Sequence, residues 1–179
     1  GSVANIRAEG GIIIGKTNTP EFGAGANTRN LVFGATGNPF SPDKTCGGSS
    51  GGSAVALATG MMPLASGSDY GGSLRTPAGF CGVVGIRPSP GGVAAEGRPV
   101  GLLPFSVLGP MGRTVDDAYL LLQAQMGVDP HDPFSTAPDV DLFAPLEAAD
   151  LGSIRAMITP DLGGAPMSNR YRSIFAKRV

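Results

Sequence analysis

Apolar residues along this chain come in short runs broken by glycine and proline. Val3 to Glu9 reads as the end of a helix, closed by Gly10 and Gly11. Ile12-Ile13-Ile14 is a β-branched run bounded by glycines, which predicts a short buried strand. Thr17 to Asn38 is rich in Asn, Gly and Thr and reads as loop, with a turn of helix at Pro20-Glu21-Phe22. Ser53 to Thr59 is small and helix-tolerant, and Gly60 ends it. Pro63 to Ala65 predicts a strand, Leu74 to Phe80 a short helix and Val83 to Ile86 a second buried strand. Residues 88–105 repeat Pro and Gly and form a long excursion. Thr114 is a good N-cap, followed by Asp116 and Asp117 in the first turn. The helix Val115 to Met126 then puts Ala118, Leu121, Leu122 and Met126 on one stripe. Residues 127–150 read as a surface connection, Ile154 to Ile158 as a strand and Ser168 to Arg178 as a helix. Strands alternating with helices predict an α/β fold with some parallel pairing: one domain over residues 1–179, part of a mixed β-sheet covered by helices.

Composition narrows this picture. Hydrophobic residues make up 41% of the 179, which excludes a disordered chain. Charged residues are only 15%, as in chains whose elements are mostly buried. A fragment of a larger protein has the same profile. The opening Gly1-Ser2 without a methionine, and the end at Val179 just after a charged helical pattern, read as cuts. A net charge of −1 leaves no basic face for nucleic acid. Cys46 and Cys81 have neither metal-ligand spacing nor the density of a disulfide scaffold, so the reading is a reduced, cytoplasmic compartment. No run reaches the roughly 18 apolar residues of a membrane helix. The best, Ser53 to Gly67, contains Gly60 and Pro63, and no signal peptide is evident.

Gly10 to Thr17 matches the phosphate-loop pattern GxxxxGK[ST] literally. That chemistry needs a loop between the glycines, and here three isoleucines occupy it, so nucleotide binding is the weakest reading. The single histidine, His131, lies in Asp-Pro-His-Asp-Pro and reads as a solvated loop residue, which argues against a Ser-His-Asp triad. No residues have the spacing of a metal site, and no cofactor is expected. What remains is serine among glycine. CGGSSGGSA, from Cys46, carries Ser49, Ser50 and Ser53, and Gly67-Ser-Asp-Tyr-Gly-Gly-Ser-Leu-Arg75 holds a second Gly-Gly-Ser. A strand followed by such a turn can aim successive N–H groups at one oxyanion.

Together these segments resemble the amidase signature family of serine hydrolases. The resemblance is carried by GGSSGGSAVALATGMMPLASGSDYGGSLRTPAGFCGVVGIRP (Gly47 to Pro88), by IIIGKTNTPEFGAGANTRNLVFGATGNP before it and by GPMGRTVDDAYLLL after it. It fades after about Gly127. It implies that the fold is the amidase signature core and that the chain is a central, incomplete piece of a member. It implies Ser73 as nucleophile, and Ser49, 24 residues earlier, as proton relay after a cis Gly48–Ser49 peptide. It also implies an oxyanion hole from the N–H groups of Tyr70, Gly71, Gly72 and Ser73. Ser50 is expected as support, and Asp69 with Arg75 as an ion pair clamping the turn.

The implied reaction is acyl transfer from an amide, which cleaves a C–N bond. A neutral lysine takes a proton from Ser49 as Ser49 takes one from Ser73. The family's lysine lies upstream of the Gly15-Lys16-Thr17-Asn18 segment, and Lys16, Lys44 and Lys177 match no such position. The expectation is therefore an amidase acting on a small-molecule amide substrate, impaired in these residues alone, self-associating through bare apolar surface and with no membrane partner. The alternative is a non-catalytic, truncated amidase-like module that needs a partner.

Overall fold

The computed structural model describes residues 1–97 and 103–179, which form two compact units, Gly1–Pro145 and Leu146–Val179. Residues 98–102 of the expected excursion lie outside the described residues.

The first unit begins with helix α1 (Ser2–Ala8). Gly10 takes a φ of 85°, and the Gly11 N–H returns to Ile6 O at 2.8 Å, a left-handed close of the helix. A 3₁₀ turn (Glu21–Gly23) and two small antiparallel ribbons follow. The ribbons are β1 (Arg29–Asn30) with β2 (Gly34–Ala35), and β3 (Gly37–Asn38) with β4 (Ser41–Thr45). Helix α2 (Gly51–Ala58) leads to β5 (Leu64–Asp69), helix α3 (Arg75–Cys81), β6 (Val84–Gly85), β7 (Val107–Gly112) and helix α4 (Val115–Gln125). β5 starts just after Pro63, which has no N–H to give a ladder. Thr114 caps α4 in a capping box: the Asp117 N–H reaches Thr114 Oγ1 at 3.1 Å, and the Thr114 N–H reaches the Asp117 carboxylate at 3.2 Å. At the other end, Asn5 Nδ2 from α1 donates to the Met126 carbonyl at 3.1 Å.

The sheet order is β5-β7-β6, and both pairings are antiparallel. β5 and β6 therefore run in the same direction on either side of β7. The alternation of strand, helix and strand predicts that shared direction, but the expected direct parallel ladder does not form because β7 returns between them. The one parallel contact among the described residues is an isolated bridge, Pro90 to Val93. Cys46, Leu57, Leu74, Cys81 and Met111 are fully buried between α2, α3 and the sheet. Glycine lets α3 meet the sheet, since a Cβ on Gly85 would lie 2.8 Å from the backbone oxygen of Leu74, and lets α2 meet the irregular segment before it, since a Cβ on Gly52 would lie 2.4 Å from the backbone oxygen of Asn18.

Two predicted strands are absent. Ile12, Ile13 and Ile14 are exposed at 86, 49 and 68%, and no strand among the described residues pairs with them. Ile154 and Ile158, in the second unit, are likewise exposed and outside any strand. β-branched side chains suit a pleated surface, but a strand also needs a neighbour. The second unit carries a 3₁₀ turn (Leu151–Ser153) and helix α5 (Asn169–Arg178), capped by Ser168. The expected connection 127–150 is mostly irregular, with a 3₁₀ turn at Val140–Phe143 and buried Asp129 and Asp132. No helix of the described residues is long and apolar enough to cross a membrane.

Candidate active site

The first serine cluster forms a corner between β4 and α2. The Gly48–Ser49 peptide is cis, and Gly47 has a φ of 79°. Thr28, almost wholly buried, holds the corner from outside. Its Oγ1 donates to the Gly47 carbonyl at 2.9 Å and accepts the Gly51 N–H at 3.1 Å. A Cβ on Gly48 would meet Asn27 N at 2.9 Å, so the neighbouring loop lies flat against the corner. Ser49, Ser50 and Ser53 are all buried.

Two of these serines bind the edge of β5 in place of a neighbouring strand. Ser50 Oγ accepts the Ser68 N–H at 3.2 Å and donates to the Ser68 carbonyl at 3.3 Å. Ser53 Oγ donates to the Ser66 carbonyl at 3.0 Å and contacts Thr17 Oγ1 at 2.9 Å. The Ser50 N–H also donates to the carbonyl of Ser73 at 3.2 Å. The corner and the second Gly-Gly-Ser are thus bonded together. The hydroxyls of Ser49 and Ser73 form no hydrogen bond to a described residue, and Ser73 is half-buried.

The second Gly-Gly-Ser follows the end of β5, and Asp69 organises it. This carboxylate is wholly buried. Its Oδ1 accepts the Gly72 N–H at 2.7 Å, and its Oδ2 accepts the Leu74 N–H at 3.1 Å. Arg75 grips both oxygens, through Nε at 3.0 Å and Nη2 at 3.1 Å. Arg87 Nη1 adds a contact to Oδ1 at 3.1 Å. Burial by itself would raise the Asp69 carboxyl; the hydrogen bonds of Arg75, Gly72 and Leu74 and the Arg75 charge outweigh it and hold the group well below the usual carboxylate range. Asp69 thus occupies the Gly72 N–H, one of the four groups expected to receive an oxyanion. The exposed Tyr70 ring meets Phe105 edge-on at 5.9 Å.

Lys16, Lys44 and Lys177 are all exposed. His131 is also exposed, with Nδ1 3.0 Å from the Asp129 carboxylate. Among the described residues, no group of His, Cys, Asp and Glu is placed to hold a metal. Residues 12–17 are not helical, and no helix starts at the GKT segment, where a phosphate loop requires one. Cys46 and Cys81 are free and buried, and burial pushes the Cys81 thiol up to about 11. Sequence reading missed Thr28 and Arg87. Each reaches the site across at least 18 residues of chain; both lie in the stretches that carry the resemblance, the one signal that could have found them.

A protein-family model described as Amidase matches residues 1–179. The A subunit of glutamyl-tRNA(Gln) amidotransferase from Thermus thermophilus is 44% identical over 169 residues, which are 91% of this chain and 36% of that protein. Among solved structures, a bacterial aryl acylamidase of the amidase signature enzymes has a TM-score of 0.71 at 40% identity, over 76% of this chain and 28% of that one. The A subunit of glutamyl-tRNA(Gln) amidotransferase from Thermotoga maritima has a TM-score of 0.72 at 38% identity, over 77% of this chain and 30% of that one. The chain spans about a third of the length of these relatives.

Proposed function

Because the chain belongs to the amidase family, whose enzymes act on amide C–N bonds, we propose that it carries the acyl-transfer half of an amide-cleaving site, with Ser73 as nucleophile and Ser49 as proton relay. The observation that carries this reading is the hydrogen bond from Ser50 N to Ser73 O at 3.2 Å. It joins the relay corner to the nucleophile turn, while both candidate hydroxyls stay unengaged. Ser73 Oγ forms a bond to the amide carbonyl carbon, and its proton passes to Ser49. The Tyr70, Gly71 and Ser73 N–H groups receive the oxyanion. The C–N bond then breaks, the relay returns its proton to the leaving nitrogen, and water releases the acyl group. Ser50, with Asp69 and Arg75, holds the two parts in shape.

The base for Ser49 is a lysine that must be desolvated to stay neutral near pH 7. Lys16, Lys44 and Lys177 are solvated and do not meet that requirement. The reading assigns the base to a residue outside these 179, so these residues alone react slowly. The substrate is a small-molecule amide. Transfer of the released nitrogen to an acceptor is a second reading, favoured by relatives named as amidotransferase A subunits. That name and the exposed Ile12, Leu31 and Val32 support work in an assembly, self-association included. The buried free thiols are in keeping with the cytoplasm.

A fluorophosphonate probe tests the reading. Intact-mass analysis is expected to give one adduct, mapped to Ser73 and absent from Ser73→Ala. Folded protein that takes up no probe would overturn it.

A further inference from the structure

Arg87 makes three contacts that span the nucleophile turn. Its Nη1 bonds the Asp69 carboxylate at 3.1 Å and also the Asp69 backbone carbonyl, and its Nη2 bonds the Phe105 carbonyl at 2.9 Å. The side chain is about three-quarters buried, being 24% exposed.

The contact to the Asp69 carbonyl has a consequence for Tyr70. The Asp69–Tyr70 peptide is trans, since the one cis bond among the described residues is Gly48–Ser49. In a trans peptide the C=O and the following N–H point in opposite directions in one plane. A guanidinium fastened to the Asp69 oxygen therefore fixes the direction in which the Tyr70 N–H points. A cation on the carbonyl also draws electron density through the amide and makes its N–H a stronger donor. The Asp69 side chain fixes the other end of the turn at Gly72 N. Two guanidiniums meet one carboxylate here, so the base of the turn keeps a net positive charge. The Phe105 contact adds a tie on the open side: the carbonyl of Phe105 is held while its ring rests against Tyr70.

The geometry points to Arg87 as a positioning residue of the oxyanion hole, which aims and polarises the Tyr70 N–H through the carbonyl of Asp69. This rests on the reading of Tyr70 N–H as an oxyanion donor. Arg87 acts through the backbone and touches no substrate.

The test compares wild type, Arg87→Gln and Arg87→Lys by two independent measurements. The first is Ser73 modification by a fluorophosphonate at pH 9, resolved into the maximal rate and the half-saturating probe concentration. Arg87→Gln is expected to lower the maximal rate about tenfold, less than loss of a direct donor, which costs about a hundredfold or more. The half-saturating concentration should stay within about twofold, and Arg87→Lys, which keeps a cation for the carbonyl, should recover most of the rate. The second is the amide proton resonance of Tyr70 in a ¹⁵N-labelled chain. It should move upfield in Arg87→Gln, with the α4 amides unmoved. An unchanged maximal rate would overturn the assignment, as would an unmoved Tyr70 resonance or equal disturbance of α4. Should wild type take up no probe, the proposed function fails, and the Tyr70 resonance alone decides for or against Arg87.

Discussion

Replacing Asp69 by asparagine preserves the side chain's shape and removes its charge. Every partner of this carboxylate is a donor: Gly72 N and Leu74 N, Arg75 through two nitrogens, and Arg87. Whichever way the asparagine amide is turned, its NH₂ faces at least two of them. With the NH₂ at the Oδ2 position, the buried Leu74 N–H loses its acceptor, at a cost of about 1–3 kcal/mol. The broken bond to Arg75 Nε adds little, because that side chain is half exposed. A loss of about 1–3 kcal/mol corresponds to a melting temperature lower by roughly 3–12 °C for a unit of this size. The pH dependence follows from the depressed carboxyl. A group whose folded pKa lies below its unfolded value, about 3.9 for aspartate, contributes fully above that value and loses its contribution as pH falls. The gap between wild type and Asp69→Asn should be full at pH 7 and shrink steadily below about pH 4. Circular dichroism melts across that range measure it. Equal melting temperatures at pH 7, or a gap that widens in acid, would refute the reasoning.

Further outcomes follow from the same geometry. Ser50→Ala removes both side-chain bonds to Ser68, and its melting temperature should drop by roughly 2–8 °C, for about 1–2 kcal/mol; an unshifted melt would show that β5 does not depend on this edge. Gly52→Ala drives a Cβ to 2.4 and 2.5 Å from the Asn18 backbone and should yield little folded protein, whereas Gly71→Ala has nothing within 4 Å and should melt like wild type. Cys46 and Cys81 should resist a disulfide reagent at pH 8 until denaturant is added, since both are buried and the Cys81 thiol is pushed up to about 11. Rapid titration of the native protein would contradict that burial.

Local signals carried the elements that local chemistry decides. Thr114 with Asp117 announces the start of α4, and Gly10 with Gly11 announces the end of α1, because caps and left-handed turns are settled within a few residues. The pairing of Asp69 with Arg75 was legible for the same reason, the two being six residues apart beside one turn. What was not legible depends on distant partners. Ile12 to Ile14 have the composition of a strand but no neighbour among the described residues, and composition carries no information about a neighbour. β7 slips between β5 and β6 after an excursion whose path no periodicity records. Arg87 and Thr28 look like ordinary loop residues until folding brings them against Asp69 and Gly47.

The central claim is that Ser73 is the reacting residue and that none of the described residues takes its proton on from Ser49. The rate of Ser73 modification by a fluorophosphonate, followed from pH 7 to 10, tests both halves. The account predicts modification at Ser73 alone, with a rate that rises about tenfold per pH unit and shows no plateau, because solvent must take the proton on from Ser49. A plateau near neutral pH would reveal an internal base, and folded protein left unmodified at Ser73 would contradict the nucleophile itself.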